Sequence, residues 1–283
     1  MSRVAYVNRE YTEYKKSYIH IEDRGYQFAD GVYEVFAIID SKIVDYDGHI
    51  KRLYRSLNEL SISSPIQKKS YKFHINEIIK RNIIKDGLVY LQVTRGVASR
   101  DFKFPKNSKS SIVIIGKNTP SNYYHNNFNK GIKVKTTKDL RWKRVDIKSL
   151  NLLPPVLAKQ YAADNACEEA WLLDDDGYIT EGSSSNAWIV KDKTVITRPV
   201  SSSILNGITR STLIKSLSKA GYKFIERRFN INDIKDADEA FITSATQFVM
   251  PVIAVNNIKI GNGSVGEFAR LFKEIYFKYI SLS

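Results

Sequence analysis

Apolar residues at Ile50, Leu53, Leu57 and Leu60 recur at three- and four-residue intervals, with Lys51, Arg52, Arg55 and Glu59 between them. That period predicts an amphipathic helix from His49 onward. It also predicts a helix over Tyr71–Arg81, with Phe73, Ile75, Ile78 and Ile79 inward. A C-terminal helix follows from Val265–Ile280, where Phe268, Leu271, Phe272, Ile275 and Tyr276 share one side. Further helices are predicted over Pro154–Asn165, with Pro155 tolerated in the first turn, over Gly207–Ala220, closed by Gly221, and briefly over Ile231–Ile234. Between them, β-branched and aromatic runs predict strands at Val4–Val7, Lys42–Tyr46, Val89–Thr94, Ser111–Ile115 and Gly131–Thr136. Ala170–Leu173, Ala187–Val190, Val195–Arg198, Lys223–Phe229 and Glu239–Thr243 read the same way. Residues 21–37 divide into a turn-like half, with breakers at Asp23–Gly25 and Asp30–Gly31, and a strand-like half. The Asn- and Tyr-rich stretch Pro120–Asn129 reads as a connector. The expected organisation is α+β in each half: an N-terminal domain 1–118, a connector 119–130 and a C-terminal domain 131–283.

Composition narrows the class. The 283 residues are 43% hydrophobic and 26% charged, ordinary values for a globular protein. No apolar run reaches membrane-span length, the N-terminus has no signal-peptide core, and the single cysteine, Cys167, has no partner within the chain. A cytoplasmic protein with no membrane association is expected. The net charge of +14 is spread in short groups such as Lys15–Lys16, Lys68–Lys69 and Arg227–Arg228. Without a basic block or zinc-finger spacing it reads as a Lys-rich solvated surface with a preference for anionic small molecules, and no nucleic-acid partner is expected.

Several chemistries find no support. His20, His49, His74 and His125 lack ligand-like neighbours, so no metal is expected, and no Gly-x-Ser-x-Gly elbow is present. The one Gly-x-Gly-x-x-Gly match, Gly261–Gly266, comes late and reads as a turn. Three stretches hold more. Leu205–Arg210 opens a predicted helix with Gly207 and Thr209; it is either a plain helix start or a phosphate seat, with Ser244–Thr246 and Arg52 as further donors. Glu181–Asn186 (Glu-Gly-Ser-Ser-Ser-Asn) is either a surface loop or the floor of a polar pocket. Lys148 lies between the basic-aromatic Arg141–Arg144 and an apolar helix start, a setting in which a lysine amine can react with an aldehyde such as that of pyridoxal phosphate.

These strings occur in a family's order: Asp23-Arg-Gly-Tyr-Gln-Phe-Ala-Asp-Gly-Val-Tyr-Glu-Val35, His49-Ile-Lys-Arg-Leu53, Asp146-Ile-Lys-Ser-Leu-Asn-Leu-Leu153, Glu181-Gly-Ser-Ser-Ser-Asn186 and Gly207-Ile-Thr-Arg210. From about Val7 to the C-terminal helix, the chain resembles the class IV (fold-type IV) pyridoxal-phosphate-dependent aminotransferases, the bacterial D-amino-acid aminotransferases above all.

The resemblance implies a two-domain α+β fold with pyridoxal 5′-phosphate between the domains, and a homodimer. It implies ping-pong transamination of a D-amino acid, typified by D-alanine with 2-oxoglutarate. The alternatives are an (R)-amine transaminase, a branched-chain aminotransferase or an aminodeoxychorismate lyase. By the same resemblance Lys148 is the Schiff-base lysine and proton carrier, Glu181 pairs with the pyridine nitrogen and Leu205 packs on the ring face. Arg52, Gly207, Ile208, Thr209, Ser244 and Ala245 would hold the phosphate, and Tyr33 would lie near the lysine and the substrate carboxylate. In the D-amino-acid enzymes the loop after Val93–Gly96 carries an arginine and, two residues on, a histidine, both gripping the substrate carboxylate across the dimer. Here Arg100 falls on the arginine, but Phe102 stands where the histidine would be and cannot donate a hydrogen bond. Lys103 is the candidate substitute, the alternative being a site with a weaker carboxylate requirement. A smaller departure is Ala245, where a hydroxyl residue is common.

Overall fold

Strict alternation along Val32, Glu34, Phe36 and Ile38 turns those side chains to one face of a strand, and two helices cover that face. The helices are those expected from the three- and four-residue period. Ile50, Leu53 and Leu57 of one, and Tyr71, Ile75, Ile78 and Ile79 of the other, close a single core with Val89, Leu91, Ile112 and Ile114. Phe73 does not join them; it is 60% exposed, and Tyr71 takes the inward position.

A computed structural model describes residues 3–120 and 123–281. The chain forms two compact units: Met1–Ser121 with Ile147–Asn151, and Asn122–Asp146 with Leu152–Ser283. The short segment around Lys148 therefore belongs to the first unit although its neighbours in sequence belong to the second.

The first unit contains β1 (Val4–Val7), β2 (Glu10–Glu13), α1 (Arg24–Phe28), β3 (Gly31–Ile39), β4 (Lys42–Ile43), α2 (Tyr46–Glu59), α3 (Lys68–Arg81), β5 (Gly87–Thr94) and β6 (Ser111–Asn118). Its six strands form an antiparallel sheet in the order β2-β1-β6-β5-β3-β4. Two expectations need correction. The turn-like start of residues 21–37 is a short helix, because the Asp23 side chain accepts from the Gly25 amide and caps it. The strand expected over Lys42–Tyr46 stops at Ile43, and Tyr46 opens α2.

The second unit contains α4 (Tyr123–Lys130), β7 (Ile132–Lys138), α5 (Leu153–Asp164), β8 (Glu169–Leu173), β9 (Ile179–Gly182), β10 (Asn186–Lys191), β11 (Thr194–Thr197), α6 (Ile208–Lys219), β12 (Phe224–Glu226), α7 (Ile231–Lys235), β13 (Glu239–Ser244), β14 (Phe248–Val255), β15 (Ile258–Lys259) and α8 (Glu267–Ser281). The sheet is mixed, in the order β12-β11-β10-β13-β14-β7-β8-β9, with β15 on β14. Part of the stretch expected as a connector is the helix α4. The strands β9 and β14 were not expected. Pro251 hides β14, and it is accommodated because the ladder with β7 starts one residue later, at Val252. Gly261 and Gly263, at φ 54° and 79°, make the turn expected of the glycine string ahead of α8. Among the described residues no helix is long and apolar enough to cross a membrane.

Candidate active site

Lys148 is held as though it were part of an extra strand on β3. The Tyr33 amide donates to the Lys148 carbonyl at 3.0 Å, and the Leu150 amide donates to the Gly31 carbonyl at 3.0 Å. The Lys148 amide donates to Ser56 Oγ of α2 at 3.2 Å. So close an approach requires Gly31: a Cβ there would lie 2.6 Å from the Val93 carbonyl and 2.8 Å from Leu150 Cδ1. With the main chain pinned, the half-buried side chain places Nζ 4.3 Å from the centroid of the Tyr33 ring. Tyr33 in turn stacks on Tyr90, centroids 5.6 Å apart. The structure thus brings Lys148 and Tyr33 together.

The other face of β3 holds an ionic group. Glu34 is fully buried and accepts from Arg52 Nε and Nη2, both at 2.8 Å, and from His49 Nδ1 at 2.7 Å. Burial alone would raise the Glu34 pKa; the Arg52 and His49 partners overcome it and hold the carboxyl at about 2. Burial pushes His49 down from the ordinary histidine value, so the neutral ring with its proton on Nδ1 suits the Glu34 contact. Glu34 fixes the plane of the Arg52 guanidinium, which the sequence assigned to a phosphate.

In the second unit, the carboxylate of Glu181 on β9 is surrounded by donors. Arg141 Nη1 donates to Oε1 at 2.5 Å, Asn186 Nδ2 to Oε2 at 2.7 Å, and the Leu205 amide to both oxygens at 3.0 and 3.2 Å. Arg141 is itself clamped by Asp139, Nε to Oδ1 at 2.9 Å and Nη2 to Oδ2 at 2.7 Å, while Thr180 Oγ1 donates to Asp139 Oδ2 at 2.9 Å. Burial raises the Glu181 pKa from its ordinary value and Arg141 opposes it. Every one of these hydrogen-bond partners donates, so Glu181 is built to accept. A pyridine nitrogen that must stay protonated needs such a partner.

The same unit places other expected residues around this carboxylate. Asn186 donates to the Leu205 carbonyl at 3.0 Å, and a Cβ on Gly207 would lie 2.1 Å from Asn186 Oδ1. Leu205 and the start of α6 are therefore packed directly against the Glu181 group. Gly207 is the N-cap of α6 and offers no side-chain acceptor, so the first-turn amides, including those of Ile208 and Thr209, have no capping side chain. Asn186 pairs in register with Thr243, and β13 then ends at Ser244, whose Oγ accepts from the Gln247 amide at 3.1 Å. Ala245 follows in this tight turn. An acceptor carboxylate, an apolar Leu205 and an uncapped helix start match the ring nitrogen, ring face and phosphate of pyridoxal phosphate.

The serines of Glu181–Asn186 are not a pocket floor. Ser183, Ser184 and Ser185 turn their hydroxyls onto the buried Glu169, the last two at 3.0 Å, and Lys159 pairs with the same carboxylate at 3.2 Å. In sequence Glu169 is an unremarked strand residue, as Arg141 is one of several local cations. Only spatial contact across the sheet reveals either. Arg100 lies on the exposed loop after β5, its guanidinium over the Phe28 ring at 4.6 Å. Phe102 is 85% exposed and meets the same ring edge-on at 5.6 Å.

The family model described as amino-transferase class IV matches residues 31–255. A D-alanine aminotransferase of Staphylococcus haemolyticus is 35% identical over 275 residues, 97% of each chain. One from Bacillus licheniformis is 37% identical over 248 residues, covering 88% of this chain and 87% of its own. Among solved structures, the branched-chain amino acid aminotransferase of Escherichia coli has a TM-score of 0.92 at 21% identity, covering 99% of this chain and 95% of its own, a likeness of fold. The chain belongs to the class IV aminotransferase family.

Proposed function

We propose that the enzyme moves amino groups from D-amino acids to 2-oxo acids, with D-alanine and 2-oxoglutarate as the reference pair, using pyridoxal 5′-phosphate, as a cytoplasmic homodimer. The observation that carries the D-amino-acid reading is the likeness, over almost the whole chain, to proteins named D-alanine aminotransferase. When bound, the cofactor supplies an electrophilic aldehyde and a protonated ring that stabilises negative charge at the substrate Cα.

The chain's own residues divide the rest of the work. Lys148 would hold the cofactor through its amine and would carry the proton at the substrate Cα, from a main chain pinned by Ser56 and β3. Glu181 would keep the ring nitrogen protonated, and the Arg141 and Asn186 donors hold it as an acceptor. Leu205 would cover a ring face. Within the second unit, the amides of Gly207, Ile208 and Thr209 and the Ser244–Ala245 turn would hold the phosphate. Tyr33 orients the amine of Lys148 from beneath, and Arg100 takes the substrate carboxylate.

Phe102 favours one second reading, an amine transaminase whose donors lack the carboxylate, because a phenyl ring stands where the second carboxylate anchor is expected. A half-reaction assay separates the two. The purified protein loaded with pyridoxal phosphate absorbs visible light; D-alanine should remove that band and L-alanine should leave it. A band that responds to (R)-1-phenylethylamine and ignores D-alanine would favour the amine reading, and a protein that takes up no cofactor would overturn both.

A further inference from the structure

One carboxylate in the first unit serves two buried arginines. Asp30, in the link between α1 and β3, accepts from Arg24 Nε at 2.8 Å and from Arg95 Nε and Nη2 at 2.7 and 3.0 Å. The side chains of all three are at least nine-tenths buried. Two guanidiniums on one carboxylate leave a buried positive excess, and the structure uses the spare donors on main-chain carbonyls. Arg95 reaches those of Leu60 and Ser61, and Arg24 reaches that of Asp101 at 2.6 Å. Asp101 is next to Arg100.

Each arginine also carries an aromatic ring. Arg95 lies over Phe104 at 3.6 Å. Arg24 lies over Phe28 at 4.5 Å, and Phe28 is the ring on which Arg100 and Phe102 rest. The loop 97–104 has no strand or helix of its own. Beyond the main-chain bond from Ala98 to Glu22, it is fastened at residues 100, 101, 102 and 104 through groups that converge on Asp30.

We infer that Asp30 is a positioning residue for substrate recognition: by fixing Arg24 and Arg95 it sets where the loop presents Arg100, and Phe102 supports that placement by packing on Phe28 instead of binding substrate. The inference rests on the proposed role of Arg100 toward the substrate carboxylate. It predicts that Asp30 controls affinity for donors that bear a carboxylate and leaves the turnover chemistry alone.

The test compares the wild-type holoenzyme with Asp30→Asn and Phe28→Leu. For D-alanine, each variant should raise KM about tenfold or more, the loss expected when a charge-assisted contact is misplaced, with kcat within about twofold. Half-reaction titration with D-alaninol, which has the same Cα but no carboxylate, should be unmoved. Trypsin, read by mass spectrometry, should cut after Arg100 and Lys103 faster in Asp30→Asn than in wild type. Faster cutting with an unchanged KM for D-alanine would overturn the positioning role, and so would equal losses toward D-alanine and D-alaninol. If the wild type acts on no D-amino acid, the proposed function has failed; the trypsin comparison still decides whether Asp30 holds the loop. If Asp30→Asn does not fold, Phe28→Leu carries the test: an unchanged KM there overturns the inference.

Discussion

Replacing Arg141 by methionine should expose how far Arg141 offsets the burial of Glu181. The substitution removes the 2.5 Å contact to Glu181 and both side-chain contacts to Asp139, while the residue 141 amide still donates to Asp139, leaving two carboxylates inside the second unit with 5% and 12% side-chain exposure. Asn186 and the Leu205 amide still donate to Glu181, and Thr180 to Asp139. Breaking one side of a buried pair costs about 3–5 kcal/mol, because the remaining charge keeps its desolvation penalty. The loss should depend on pH. Burial already raises the Glu181 pKa, and Arg141 is the main opposing influence, so the variant raises it further. A carboxyl with a folded pKa above its unfolded value binds protons more tightly when folded, so stability falls as pH rises between the two. For Asp139, burial is outweighed in the native protein by Arg141, and its pKa is lowered. The stability this gives, present above the unfolded pKa, disappears with the guanidinium. The Asp139 loss is already complete at about pH 5, above the unfolded value, so the Glu181 effect is what makes the deficit larger at high pH. Urea unfolding of the two proteins at about pH 5 and about pH 8 measures it. A deficit below about 1 kcal/mol at the higher pH, or an equal deficit at both, would refute the reasoning.

Other consequences are open to simpler tests. Glu34 is held at about 2 against an ordinary 4.5, so it stabilises the fold above the unfolded value and loses that contribution as pH falls from 4.5 toward 2. Glu34→Gln should cost about 3 kcal/mol near neutrality and progressively less in acid, seen as converging melting curves. Ala29, at φ 55° after α1, adopts a left-handed conformation that glycine accepts more readily; Ala29→Gly should raise the melting temperature, by up to about 1 kcal/mol of stability. Glu181→Gln keeps the shape and loses the charge that protonates the ring, so kcat should fall at least about a hundredfold with cofactor still bound. An unchanged rate would remove Glu181 from its assigned role.

How much of this was legible beforehand depends on distance along the chain. The helices α2, α3 and α8 follow from local apolar spacing, and Lys148 and Glu181 from short strings. What escaped was cooperative. Arg141 meets Glu181 across 40 residues, Ser185 meets Glu169 across 16, and Arg95 meets Asp30 across 65. Each is a common charged or polar residue whose role is set by folding. The three serines illustrate the point: their string left a surface loop and a pocket floor both open, but a buried carboxylate on the neighbouring strand β8 consumes their hydroxyls. The short helix α1 was missed because its cap, Asp23, also looks like a turn residue.

The activity proposed for this chain is removal of the amino group from amino acids of D configuration. It is tested most directly by incubating the pyridoxal-phosphate-loaded enzyme with 15N-labelled D-alanine and 2-oxoglutarate, then separating the glutamate product by chirality. The account predicts labelled D-glutamate with stoichiometric pyruvate, both absent with Lys148→Ala. Labelled L-glutamate, or transfer from L-alanine in preference to D-alanine, would contradict it.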